Sequence, residues 1–166
     1  MERFDILPVD TGVRLIRAWA DHSWPITQDE AFALRDGLGW KPFPDAPHLF
    51  TTEVGLDPGE GFMNVDDGVL SNLNFELSAL AAASAPGMAT RTRNALDEYA
   101  TALSSAWGTP RRSKRRGVNS ADWTIPNGSY ITIKEVDGLL TVFVQSPEWQ
   151  VTKAMARLDE IETGDA

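Results

Sequence analysis

Asp57, Glu60, Asp66 and Asp67 place four carboxylates within eleven residues, and clustered oxygen donors of that kind are what calcium takes. Their spacing is not that of an EF-hand loop and does not recur, so no metal is expected. His22 and His48 are the only histidines, too few on their own for a zinc site. Asp21-His22-Ser23 brings three reactive side-chain types together, but a catalytic triad is defined by convergence in space, and sequence neighbours seldom converge on one substrate atom. With no cysteine there is neither a thiolate nucleophile nor a disulfide framework. These residues predict a protein that is not an enzyme and takes no cofactor.

Charge carries more information. From Pro42 to Thr90 the chain runs 49 residues without Lys or Arg while carrying Asp45, Glu53, Asp57, Glu60, Asp66, Asp67 and Glu76. Ordinary surfaces mix signs to limit self-repulsion, and a one-signed field speeds capture of a basic partner while repelling nucleic acid. Asp is also favoured in turns for local hydrogen bonding, which is the ordinary reading of Asp57, Asp66 and Asp67. The basic residues gather elsewhere: five of 15 lie in Arg111-Arg112-Ser113-Lys114-Arg115-Arg116. In isolation that run suggests nucleic acid, but the other 10 basic residues face 24 acidic ones. It reads as a flexible basic loop or one that pairs with the protein's own acidic surface, with an anionic ligand as the remaining alternative. Six tryptophans are many for 166 residues. Periodicity buries Trp19 and Trp107, whereas Trp24 and Trp40 fall in less regular segments and are candidate interface anchors.

Periodicity predicts the helices and strands that carry these groups. Leu15, Ile16, Trp19 and Ala20 fall at helical spacing behind Asp10 and Thr11, and Thr27-Gln28-Asp29-Glu30 is a capping box announcing a second helix. Three prolines between Trp40 and Pro47 predict an extended connector. From Leu49 the period becomes two, giving a strand over Leu49 to Val54. A hairpin follows around Asp67-Gly68, with Phe62 expected opposite Leu73. Leu96, Tyr99, Leu103 and Trp107 predict the longest helix, from Met88 to Ala106. Ala121 to Ile125 can form a short strand. Asp137-Gly138 then joins Tyr130–Val136 to Leu139–Gln145, pairing Ile133 with Val142 and Ile131 with Val144. Ser146-Pro147-Glu148 starts a last helix whose Val151, Met155 and Leu158 turn inward.

The expected fold is α+β in one domain over residues 1–166: an antiparallel sheet of five to six strands with helices packed on one side, in the order ααβββαβββα. The opening residues lack a signal-peptide pattern and no apolar run approaches a membrane span, so a cytoplasmic, bacterial protein that binds neither membrane nor nucleic acid is expected.

The Trp-rich N-terminal region ending in Leu38-Gly39-Trp40, the acidic hairpin, and Leu140-Thr141-Val142-Phe143 with Ser146-Pro147-Glu148-Trp149 resemble an uncharacterised actinobacterial family. Its members look like immunity proteins of secreted-toxin systems. That resemblance implies a cognate toxin as partner and carries over no functional residue. The lysine-free acidic stretch adds the expectation that the toxin surface is basic, with Glu53, Asp57, Glu60, Asp66, Asp67 and Glu76 supplying steering and charge pairs and Trp24 or Trp40 the anchors. The element order is also similar to that of small acidic secretion chaperones, which is one alternative; a small-ligand-binding domain or enzyme around His22 or His48 is another. Whether the chain is a monomer or a dimer stays open at this level.

Overall fold

Period-two structure extends through more of the chain than five or six strands. A computed structural model describes residues 4–52, 54 and 61–148. It contains helices α1 (Val9–Ala20), α2 (Gln28–Gly37) and α3 (Met88–Trp107), with a short 3-10 turn at Leu80–Ala82. Its strands are β1 (Lys41–Phe43), β2 (Ala46–Thr51), β3 (Gly61–Asp66), β4 (Val69–Glu76), β5 (Arg111–Arg115), β6 (Val118–Thr124), β7 (Tyr130–Val136) and β8 (Leu139–Gln145). All eight join one antiparallel sheet in the order β1-β2-β3-β4-β8-β7-β6-β5. The expected order ααβββαβββα and the five- to six-stranded sheet are therefore wrong.

The two added strands lie where their composition hid them. β1 carries Pro42 and forms one edge of the sheet, where a missing amide costs nothing. β5 is Arg-Arg-Ser-Lys-Arg, exposed throughout, at the other edge. Charge on an edge strand discourages pairing with a second sheet, so the expected loop is a guarded strand. Arg116 and Gly117 turn it into β6 with φ of 53° and 80°, the same two-residue left-handed geometry as Asp67-Gly68 and Asp137-Gly138.

The hairpin of β7 and β8 has the expected register, Ile133 opposite Val142 and Ile131 opposite Val144. The hairpin of β3 and β4 is shifted: Met63, not Phe62, faces Leu73, because pairing jumps from Asn64–Asn72 to Val65–Leu70. Ser71 is thus bulged out. Its hydroxyl donates to the Asn64 carbonyl at 3.0 Å and its own carbonyl accepts from the Ser146 amide at 2.8 Å. The bulge turns Leu70 into the core, at 1% exposure, ahead of the inward series Leu73, Phe75 and Leu77.

Leu15, Ile16 and Trp19 of α1, Ala31 of α2, and Leu96, Tyr99 and Leu103 of α3 share one core with Leu73, Phe75, Ile131, Ile133, Val142 and Val144. Trp40 stands at its centre. Its ring lies 6.0 Å from Trp19, 5.0 Å from Phe50 and 5.0 Å from Phe75, and it is only 2% exposed. It therefore has no surface to offer a partner, and the expectation of Trp40 as an anchor is corrected. Arg35 clamps the connector behind it, donating to the Pro47 carbonyl at 2.8 Å and lying over Phe32. Helix α1 begins after Pro8 with no side-chain cap, so Asp10 sits in its first turn instead of capping it. The expected last helix beyond Glu148 lies outside the described residues.

Helices α1 and α3 meet at Gly12, where an added Cβ would stand 1.8 Å from the Tyr99 hydroxyl. That hydroxyl donates to the Leu7 carbonyl at 3.3 Å. Burial, with Glu98 nearby, raises the Tyr99 pKa well above its ordinary 10.0. Tyr99 stays protonated in the folded chain at a pH where the unfolded chain loses that proton, so stability is complete below about pH 10 and declines above it. Burial also raises Tyr130, helped by its hydrogen bond to Asp122, in the same direction. Denaturant titration should show a loss of about 1 kcal/mol from Tyr99 at about pH 11. Tyr99→Phe should remove that part of the slope; an unchanged slope would contradict the assignment.

Candidate functional site

Half of the expected capping box forms, and the Glu30 carboxylate meets the Thr27 hydroxyl in place of its amide. Thr27 Oγ1 accepts from the Glu30 amide at 3.1 Å and donates to the Glu30 carboxylate at 3.1 Å. What the local pattern could not show is where α2 starts in space. Thr27 bridges Val69, the Gln28 amide donates to the Gly68 carbonyl at 2.9 Å, and the Leu70 amide donates to the Ile26 carbonyl at 2.7 Å. The first turn of α2 is thereby fastened to the tip of the β3–β4 hairpin. That turn carries Asp29 and Glu30 and the tip carries Asp66 and Asp67, all four exposed. The α2 amide dipoles stabilise the carboxylates of its first turn.

Two depressions adjoin at this end. One, of about 310 Å³, is lined by Asp66, Asp67, Val69, Leu70 and Glu148 among others. The second, of about 220 Å³, is lined by Trp24, Pro25, Asn127 and Pro147 and shares Leu70, Ser146 and Glu148 with the first. Trp24 is half-buried, its Nε1 donating to the Ala20 carbonyl at 3.3 Å. Asn127 donates to the same carbonyl at 2.7 Å. A fixed aromatic ring thus stands beside a rim of carboxylates, which is the composition of an interface that recognises cations and apolar surface together.

The remaining expected site residues divide. Glu76 lies at the far end of β4, seven residues from Val69, or ~23 Å along an extended strand, so it does not join Asp66 and Asp67. Glu53, Asp57 and Glu60 lie outside the described residues. Among the described residues no three His, Asp or Glu side chains converge as metal ligands. In Asp21-His22-Ser23 the carboxylate is taken by Arg17 at 2.7 Å and by Trp107 Nε1 at 3.2 Å, while the His22 ring bonds the Ser23 carbonyl. Asp21 does not orient His22. His48 packs on Phe32.

The basic strand leaves the acidic end alone. Arg111 pairs with Asp122 at 3.1 Å and Arg112 with Asp97 at 2.9 Å, neither within the lysine-free stretch. Asp122 also accepts from the Tyr130 hydroxyl. Four strand spacings, ~19 Å, separate β4 from β5, and the hairpin tips at Asp67 and Arg116 point to opposite ends of the sheet.

A family model described as a family of unknown function, DUF6301, matches residues 10–146. The chain belongs to the DUF6301 family. The matched span runs from the first turn of α1 to the residue after β8, so Trp24, Asp29, Glu30, Asp66 and Asp67 all lie inside the DUF6301 unit. No curated protein and no solved structure matches the chain. Among the described residues no helix is long and apolar enough to cross a membrane.

Proposed function

We propose that the protein is an immunity protein, a non-catalytic domain that docks on the basic surface of a cognate toxin through the end formed by Trp24, Asp29, Glu30, Asp66 and Asp67. The observation that carries this reading is the fastening of α2 to the β3–β4 hairpin, which brings the acid-bearing first turn of the helix to the acid-bearing tip, next to a depression lined by the half-buried Trp24. Like charges brought together cost folding energy, and an oppositely charged partner relieves that cost on binding. Toxins that act on nucleic acids or nucleotides need basic surfaces, so covering such a surface both binds and blocks. A client-holding chaperone expects a broad apolar groove; among the described residues the exposed large hydrophobics are Leu49, Phe62 and Leu80, of which only Leu49 and Phe62 adjoin.

The test is co-purification with the tagged chain from its host, followed by co-expression. A single basic protein whose toxicity this chain suppresses is the expected result. A set of unrelated unfolded clients, or an acidic partner, would overturn the reading.

A further inference from the structure

The corner of the sheet opposite the acidic end contains a cleft of about 480 Å³ lined by Ser113, Arg115, Arg116, Val118, Ser120 and Lys134. Three cations line it and no carboxylate does. Protection of an edge strand accounts for charge on β5. It does not account for Lys134, which reaches the cleft from β7, two strands inside the edge. The register makes the convergence: Ser113 stands opposite Ser120 and Ser120 opposite Lys134, one row across three strands, with Arg115 opposite Val118 beside it. Among the described residues no ion pair occupies Arg115, Arg116 or Lys134, whereas Arg111 and Arg112 on the same strand are paired. The Lys134 ammonium lies 5.1 Å from the Phe143 ring centroid, which holds it over the sheet face.

The two hydroxyls add direction. Ser113 Oγ and Ser120 Oγ are 2.5 Å apart, so one donates to the other and the acceptor keeps a proton to give outward. Two guanidinium groups, an ammonium and a free hydroxyl proton match the acceptor oxygens of a phosphate.

We propose that this cleft binds a small phosphate-bearing ligand, held by Arg115, Arg116 and Lys134 with the Ser113–Ser120 hydroxyl pair as neutral donor. The size suits a small molecule. The net charge of −9 disfavours a long polyanion, whose backbone would meet the acidic remainder of the surface. The site is separate from the toxin-facing end and stands or falls independently of it.

Calorimetric titration of the full chain with inorganic pyrophosphate tests the proposal, with ADP as a second arm. Saturable binding is expected, weakened about tenfold by Lys134→Ala and about tenfold by Arg115→Ala, the usual worth of one charge-assisted contact. Arg112→Ala removes the same charge from the same strand outside the cleft and should leave binding unchanged. Tighter binding of ADP identifies a nucleotide as the source of the phosphates, and equal binding identifies the phosphates alone. Circular dichroism of each variant confirms folding, since every substituted side chain is exposed. Absence of saturable binding in the millimolar range overturns the proposal, as does equal weakening by Arg112→Ala. Tight binding of a single-stranded RNA that pyrophosphate cannot displace overturns it in favour of nucleic acid.

Discussion

Trp40→Ala should lower stability by ~3–5 kcal/mol, the range for deleting a large buried aromatic. Trp40 joins three rings, stacking on Trp19 of α1 and Phe50 of β2 and meeting Phe75 of β4 at a tilt. Deleting it leaves all three rings facing a void that their backbones cannot close, since each is held on a different element. Domains of this size have ~5–15 kcal/mol in total, so the variant should be near its limit at 37 °C. Trp24→Ala makes the contrast. That ring is half-buried and loses one weak hydrogen bond to Ala20, so the expected cost is about 1 kcal/mol. Urea midpoints of the two variants decide the matter, and equal losses would contradict the placement of Trp40 in the core.

Asp29→Asn, Asp66→Asn and Asp67→Asn combined should slow association with the basic partner about tenfold at low salt, the lower end of what electrostatic steering supplies. At high ionic strength the two proteins should converge, because the Debye length shrinks below the distances over which the field acts. Asparagine is chosen because Asp67 has φ of 52°, a conformation that Asn tolerates and most residues do not. Glu30 is left in place because its carboxylate accepts from the Thr27 hydroxyl. The cost to folding should be near 0.5 kcal/mol, from the loss of Asp29 at the α2 N-terminus, so a kinetic effect cannot be traced to unfolding. Stopped-flow association across a salt series reads it; identical rates at low salt would remove this surface from the account.

The strands that sequence alone made legible are those where local preference and global fold agree. Tyr130 to Gln145 alternates β-branched residues around Asp-Gly, and its register is fixed by that turn. The β3–β4 hairpin has the same turn but also Ser71, whose bulge leaves no compositional mark and displaces the pairing by one residue. β1 and β5 were hidden because proline and consecutive arginines argue against a strand interior, an argument with no force at a sheet edge. In the candidate site Asp66 and Asp67 were visible as charge. Asp29 and Glu30 were visible only as a cap, since the bridge between Thr27 and Val69 that ties their turn to the hairpin spans 42 residues. Trp24 and Trp40 illustrate the same limit from the other side: both lie in irregular segments, and only packing separates the half-exposed ring from the buried one. The turn register puts Lys134 on the face opposite Ile131 and Ile133, but its place in the cleft left no signal, because its neighbours there come from other strands.

Hydrogen exchange of the chain, free and bound to the protein that co-purifies with it, locates the docking surface on the fold. Slower exchange on binding is predicted for the amides of residues 27–30 and 66–69, with β5 and the Leu49–Phe62 face unchanged. Protection confined to β5 or to Leu49 and Phe62, with the α2 start and the β3–β4 tip exchanging as in the free chain, would contradict the claim that this acidic end meets the partner.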